Sequence, residues 1–285
     1  MPARYKKNFF PESFFCDIMK IGDKMQRESI DIIAKNTEDR LLLAKLWDKI
    51  DGSIRKNIIG FTPFLSPREQ EMSGFLFGDV PGLHAFGGYG DAERKMLIYL
   101  PEYLEEEYLL SEESPVVALE ASFFQGDSLS HRDFLGALMG AGISRETVGD
   151  ICVEPGRCVF FVTQGIAPYI LDNLNSAGRT KLHLQRLELE DIRLPQPEFQ
   201  SIRDTLSSLR LDSVVSSGFR IGRSLAAEYI RSGKACLNGI PCEKPDKEIH
   251  DGDKISVRGL GKIRLAEIGG KTKKDRISIV IQKYV

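Results

Sequence analysis

The sequence predicts a multi-domain α+β protein, and three observations predict it. Runs within residues 1–72 carry apolar residues at helical spacing, the middle of the chain reads strand, helix, hairpin, helix, strand, and the charge balance reverses in the final segment. The 285-residue chain carries 39 Lys and Arg against 41 Asp and Glu, yet Ser208–Val285 holds 16 basic residues against 9 acidic ones. A cationic segment set in an otherwise acidic chain implies one dedicated face for an acidic partner, with nucleic acid the first candidate. A composition of 28% charged and 42% hydrophobic residues excludes disordered and fibrous classes, and no apolar run approaches the 18 residues of a membrane span.

Residues 1–72 read as a small helical unit. The opening MPARYKKNFFPESFFCDIMK is basic and aromatic, but Pro11, Glu12 and Asp17 interrupt any signal-like apolar core, so it is expected to dock or cap. Ile30–Ala34 and Leu41–Ile50 carry apolar residues at helical spacing, with Leu43, Trp47 and Ile50 as a core stripe. Ser66, Pro67 and Glu69 open a further helix, the hydroxyl as cap and proline in the first turn.

Residues 73–190 alternate strands and helices. Met96–Leu100 and Val116–Phe124 are expected strands, followed by a helix over His131–Ala141 capped by Ser130 and closed by Gly140 or Gly142. Gly149–Val153 and Arg157–Thr163 form a hairpin about Glu154, Pro155 and Gly156, a helix follows with Ile166, Ile170 and Leu174 on one face, and a last strand begins near Thr180. This order fits the split βαβ plan of ferredoxin-like and RRM-like domains, a plan that hosts enzymes and RNA binders alike. Glu105–Glu107, Glu112 and Glu113 form an acidic, solvated loop, and residues 191–207, with Pro195 and Pro197 and no periodicity at the start, form a linker.

Residues 208–285 carry the basic charge. Leu211, Val214 and Val215 give one face of a short helix ending at Gly218, and a second helix runs from about Gly222 to Ser232. Its wheel places Leu225, Ala226, Tyr229 and Ile230 inward and Ser224, Ala227 and Arg231 outward, with Arg223 at the border and Arg220 just ahead of it. Ala227 would let the backbone approach a phosphate, and Ser224 would donate or cap at an end where free amides favour an anion. Lys234–Leu237, the turn Asn238-Gly239 and the strand from Ile240 form a hairpin, and Asp251-Gly252-Asp253 turns into the strand Lys254–Arg258.

These residues carry a resemblance. Arg210, Leu211, Asp212, Arg223, Ser224, Ala226, Ile230, Gly233, Leu237, Asn238, Gly239, Pro241, Gly252, Asp253, Ile255 and Val257 resemble the αL RNA-binding domain of small-subunit ribosomal protein S-four. The stretch Phe64–Gln70, then Phe86-Gly87-Gly88-Tyr89 with Ala92-Glu93-Arg94-Lys95, Ser130–Asp133, Gly149-Asp150-Ile151 and Lys271–Asp275 are similar to the YlmH-type bacterial proteins, from about residue 60 onward. The resemblance implies a non-enzymatic factor of ribosome-associated quality control that binds a large ribosomal subunit still carrying peptidyl-tRNA and supports tailing of the stalled chain.

On this reading Arg220, Arg223, Ser224, Arg231, Lys234, Asn238 and Lys244 are the principal RNA contacts, extended by Arg258 and Lys262 and, with Arg264, by the tail residues Lys271, Lys273, Lys274 and Arg276. Recognition would rest on RNA shape. Arg94, His131 and Arg132 are candidates to touch tRNA or protein from the middle domain. The expected partners are ribosomal RNA, tRNA and the large subunit, with no membrane and a monomeric chain.

Blander and sharper alternatives stand beside these. Arg210-Leu211-Asp212 also fits the catalytic motif of pseudouridine synthases, and His131-Arg132-Asp133 a general-base cluster, although consecutive helical residues diverge and Ser130 with Asp133 makes a cap. Gly87, Gly88 and Gly90 suit a tight turn better than a phosphate loop. Phe160 and Phe161 could suggest an RRM-like aromatic platform, but an alternating strand buries one and exposes at most the other, and the acidic balance of this domain makes them mostly core. The five cysteines, with no CxxC pair, indicate a reduced, cytoplasmic, metal-free protein without cofactor; Cys152 and Cys158 could pair only if oxidised. An RNA-modifying enzyme anchored by the αL domain, or an RNA-independent scaffold in cell division, are the competing functions.

Overall fold

The computed structural model describes residues 27–78, 80–194, 199–272 and 274–284, and the chain separates into two units, Met1–Pro195 and Gln196–Val285. The docking segment expected at the N-terminus, Cys16, Pro195, Pro197 and Lys273 lie outside the described residues.

In the first unit, α1 (Ile30–Ile33) leads into α2 (Thr37–Lys56), which starts where the Asn36 side chain accepts the Asp39 amide. It ends at Asn57 in the left-handed region, φ 50°. After β1 (Gly60–Phe61) comes α3 (Pro67–Phe77), opened by the expected reciprocal cap: the Ser66 hydroxyl accepts the Glu69 amide and the Glu69 carboxylate accepts the Ser66 amide. β2 (Leu83–Phe86) and β3 (Met96–Tyr99) complete a three-stranded antiparallel sheet in the order β1-β3-β2. Leu43, Leu46, Trp47 and Ile50 of α2 pack with Met72, Leu76 and Phe77 of α3 and with Leu97 and Tyr99 of β3. The helices and this sheet thus share one core, and residue 72 falls inside α3.

The split βαβ order follows: β4 (Val116–Ser122), α4 (His131–Gly140), β5 (Val148–Glu154), β6 (Arg157–Thr163), α5 (Ala167–Asn173), the small hairpin β7 (Ser176–Ala177) and β8 (Thr180–Lys181), then β9 (His183–Leu187). The sheet runs β5-β6-β4-β9 with antiparallel neighbours, so the strand expected from Thr180 joins it only at His183. Phe160 lies with Phe134, Leu138 and Ile170 under the helices, whereas Phe161 lies with Phe64, Met96 and Ile98. Both phenylalanines are fully buried because the three-stranded sheet covers the face that an RRM-like domain leaves open, so the core placement expected for the pair holds on both faces of the strand. Cys152 pairs with Val159 and Val153 with Cys158, which puts the two cysteines on opposite faces of the sheet and prevents their pairing.

The second unit corrects the linker. Phe199–Leu206 is a strand, β10, paired over its full length with β15 (Ile277–Tyr284). Between them come α6 (Leu211–Phe219), α7 (Arg223–Arg231), the hairpin β11 (Ala235–Leu237) and β12 (Ile240–Pro241), β13 (Lys254–Val257) and β14 (Gly261–Lys271). The sheet order is β10-β15-β14-β13-β11-β12. Leu211, Val214, Val215, Ala226 and Ile230 pack on Ile255, Ile263, Leu265 and Ile281, so the two helices cover one face. α6 approaches closely at Gly218, where an added Cβ would sit 2.6 Å from Ile263 Cδ1.

Candidate nucleic-acid interface

The second unit builds its site around one carboxylate. Backbone amides of Leu211 and Asp212 donate to Lys247 O and Pro245 O, pinning the start of α6 to the Lys244–Lys247 turn. Asp212, only 5% exposed, then receives Nε and Nη2 of Arg210 at 3.3 Å, Nε and Nη2 of Arg223 at 3.2 Å and the Ser213 hydroxyl at 3.2 Å. Burial pushes this carboxyl up, but the hydrogen bonds and charges of Arg223 and Arg210 outweigh it and hold the group below the ordinary carboxylate range. The clamp fixes two guanidinium groups while leaving the Arg223 side chain 51% exposed, so its remaining N–H groups are presented outward in a set orientation.

Arg220 stands next to this clamp. It terminates α6 in the left-handed region at φ 53° and is exposed. Arg220 and Arg223 line a cleft of about 400 Å³ with Arg276, Ser213, Ser216 and Ser217. The hydroxyls of Ser216 and Ser217 donate to Ile221 O and Asp204 Oδ2, and Arg276 donates to Thr205 O and Oγ1. Arg220 and the outward part of Arg223 are therefore the groups most open to an anion.

α7 is rotated from its expected setting. Ala227 is buried beside Ala226, and Leu225 is 43% exposed, because the two small side chains give the helix its closest packing face and turn the larger leucine outward. Ala227 therefore does not offer its backbone to a phosphate. Ser224 and Arg231 are exposed as expected, and Lys234 lies with its Nζ 5.2 Å from the Tyr229 ring centroid. The Arg258 amide donates to Lys234 O, which brings these two cations to one end of the sheet, and Lys244 is exposed in the turn against α6.

Three expected contacts are placed otherwise. Asn238 stands at φ 51° in the hairpin turn, where its amide donates to Asp253 Oδ1 at 2.8 Å and accepts from the Lys254 amide at 2.9 Å. Its side chain is committed to the turn rather than turned to a ligand. Lys262 and Arg264 alternate with the inward Ile263 and Leu265, so they occupy the sheet face opposite the helices, with Lys262 Nζ 5.2 Å from the Tyr284 centroid and burial lowering its pKa. They do not broaden the helical face. Of the tail, Lys271 is paired with Asp275 at 2.8 Å, Arg276 is held by Thr205, and Lys274 is exposed.

In the first unit Arg94 is structural. Its Nε and Nη2 donate to Val148 O at 3.0 Å and Phe64 O at 2.7 Å, and burial lowers its pKa. The neighbouring Asp150 carboxylate accepts the Tyr89 hydroxyl and the amides of Glu93 and Arg94; burial raises its pKa despite them. This lock tightens the Gly87–Gly90 turn, where Tyr89 stacks on Phe161 at 5.1 Å, and supports the turn reading of the glycines. His131 and Arg132 are exposed on α4, with burial and then the Arg145 charge lowering the His131 pKa, while Asp133 accepts the Ser130 amide and hydroxyl as a cap. Among the described residues no group of three His, Cys, Asp or Glu side chains could hold a metal, and no helix is long and apolar enough to cross a membrane.

Residues 209–255, from α6 to β13, match the family model described as S4 domain, and residues 122–191 match "Putative RNA-binding domain in YlmH". The chain is 35% identical over 223 residues to ribosome-associated protein quality control protein P2 of Bacillus subtilis (strain 168), an alignment covering 78% of this chain and 86% of that protein. The chain belongs to the YlmH family. As a YlmH-type RNA-binding protein it places its S4 domain on the cationic helix pair and its other RNA-binding region on the split βαβ fold. A solved structure, cell division protein ylmH from Streptococcus pneumoniae, is similar at a TM-score of 0.46 and 21% identity, covering 56% of this chain and 98% of that one.

Proposed function

We propose that this YlmH-family chain is a non-catalytic, cytoplasmic factor that docks through its S4 domain on the large ribosomal subunit carrying peptidyl-tRNA and supports quality control of stalled nascent chains. The observation that carries this reading is the group of outward cations about one helix pair, Arg220, Arg223, Arg231 and Lys234, in a chain 35% identical to a ribosome-associated quality control protein. Such a group neutralises phosphates along a structured RNA without reading base edges. Asp212 supports the non-catalytic side: a carboxylate held by two guanidinium groups is poorly suited to nucleophilic attack on a nucleoside.

The test is sucrose-gradient sedimentation of native lysate, with and without ribonuclease, comparing the unaltered chain with Arg220→Ala, Arg231→Ala. Nuclease-sensitive migration with large subunits, enriched when peptidyl-tRNA is trapped there and lost in the folded double variant, is the expected result. Persistence in the free fraction at low salt with stalled subunits present would overturn the reading. In direct RNA binding, each lost phosphate contact flattens the log-log salt dependence by roughly 0.7 to 0.9.

A further inference from the structure

We propose that a cleft in the first unit, between the loop after β4 and the β7–β8 hairpin, seats one unpaired RNA nucleotide, its base against Phe124 and its phosphates on Arg179 and Lys181. This inference rests on the RNA-binding reading above and deepens it. The residues lie within the 122–191 region, yet none of them is among the contacts expected from sequence.

The first observation is the fate of the sheet. RRM-like domains stack bases on an open sheet face, but here Phe160 and Phe161 are both fully buried and each face of β5-β6-β4-β9 is covered. RNA reaching this region has to meet its rim. The rim holds Phe124, whose side chain is 75% exposed.

That exposed ring is held in place. Phe123 is anchored by its amide to Gly156 O at 3.0 Å and packs on Phe134 at 5.8 Å, so the next side chain is directed away from the core. The Asp127 amide closes a turn onto Phe124 O at 2.9 Å, and Gly126 lies so close beneath the ring that an added Cβ would come within 2.4 Å of its Cε1. Backbone therefore supports one side of the ring and solvent meets the other. An exposed aromatic surface backed in this way is a stacking platform for a base.

The second observation is charge. Phe124 shares a cleft of about 420 Å³ with Arg179, Lys181, His183 and Asp127. Residues 73–187 hold 8 basic and 16 acidic residues, so two cations within three positions stand out from an acidic background. Among the described residues the Arg179 and Lys181 side chains have no hydrogen-bond or ion-pair partner, and their hairpin is tied down by buried Ala177. Cations flanking an exposed ring match the alternating phosphate and base of a single strand better than a continuous duplex. The Asp127 carboxylate adds an acceptor at the same rim that a base N–H can meet.

The experiment uses the full chain carrying Arg220→Ala, Arg231→Ala and Lys234→Ala to weaken the S4 face, with a single-stranded 4-thiouridine-containing oligonucleotide as probe. Fluorescence anisotropy and photocrosslinking are the readouts, and a thermal melt verifies that each further variant is folded. Phe124→Ala is expected to weaken binding roughly ten-fold or more and Phe124→Trp to retain it, with crosslinks on the peptide containing Phe123 and Phe124. Arg179→Gln with Lys181→Gln should flatten the salt dependence by roughly 1.4, about 0.7 for each single-strand phosphate contact. Unchanged affinity in Phe124→Ala, or crosslinks confined to residues 196–285, overturns the proposal. So does nuclease-resistant subunit association that Phe124→Ala abolishes while oligonucleotide binding persists, since that result marks a protein contact. Failure of the ribosome reading instead shows as free-fraction sedimentation of the unaltered chain, which leaves this binding assay unaffected.

Discussion

Arg223 lays its Nε and Nη2 on the two carboxylate oxygens of Asp212, each at 3.2 Å, across an eleven-residue separation that spans the end of α6 and the start of α7. Arg210 meets the same two oxygens from the preceding chain. A side chain expected to serve only a ligand therefore also fixes the angle between the two helices that present the interface.

Removal of both arginines isolates a buried charge. Arg210→Ala with Arg223→Ala should lower the opening free energy of α6 by about 3–5 kcal/mol at pH 7, whereas Arg223→Ala alone, with Arg210 still in place, should cost about 1 kcal/mol. The folded pKa of Asp212 lies below its ordinary 3.8, so the clamp's contribution is fully present above that value and is lost as pH falls through the lowered one. In the double variant burial is opposed only by the Ser213 hydroxyl, so the deficit should shrink as pH approaches 4. Native-state hydrogen exchange of the α6 amides reads both effects, and identical exchange in the unaltered chain and the double variant would remove the clamp from the account of stability.

Arg220 sets stability against binding. A left-handed conformation at a helix end is the natural place for glycine, and arginine holds it at a cost of about 1 kcal/mol. Arg220→Gly should raise the melting temperature of the second unit while weakening RNA binding and its salt dependence. If affinity were unchanged in the stabilised variant, Arg220 would have no part in the interface.

Asn238 gives the opposite separation. Asn238→Ala removes the bonds to Asp253 and Lys254 at a left-handed position, so hydrogen-exchange protection across β11 and β13 should fall by about 1–3 kcal/mol. The folded fraction should bind RNA with unaltered affinity. A loss of affinity with full protection would restore the amide to the ligand.

Local chemistry carried much of this fold. Ser66, Pro67 and Glu69 announce α3, Pro155-Gly156 and Asn238-Gly239 announce their hairpins, and the stripe of Leu43, Trp47 and Ile50 is the α2 core, because each feature depends on neighbours within a few positions. β10 was hidden since only Ile202 and Leu206 point inward and its ladder partner is the distant β15. The burial of Phe161 depends on a second sheet, and the roles of Arg94 and Asn238 on partners 54 and 15 residues away. The outward cations of the helix pair were legible as charge, but the Asp212 clamp was not, because a helical wheel records the direction of a side chain and not what stands opposite.

β10 touches the rest of its sheet through β15 alone. During synthesis this strand emerges first in its unit and its ladder partner last, so its hydrogen-bonding edge stays unsatisfied until Ile277–Tyr284 has left the ribosome. The helix pair can gather early on the central strands, while the closing ladder sets in only once β15 has emerged. A nascent chain of this protein that stalls before Ile277 would thus expose an open strand edge of its own.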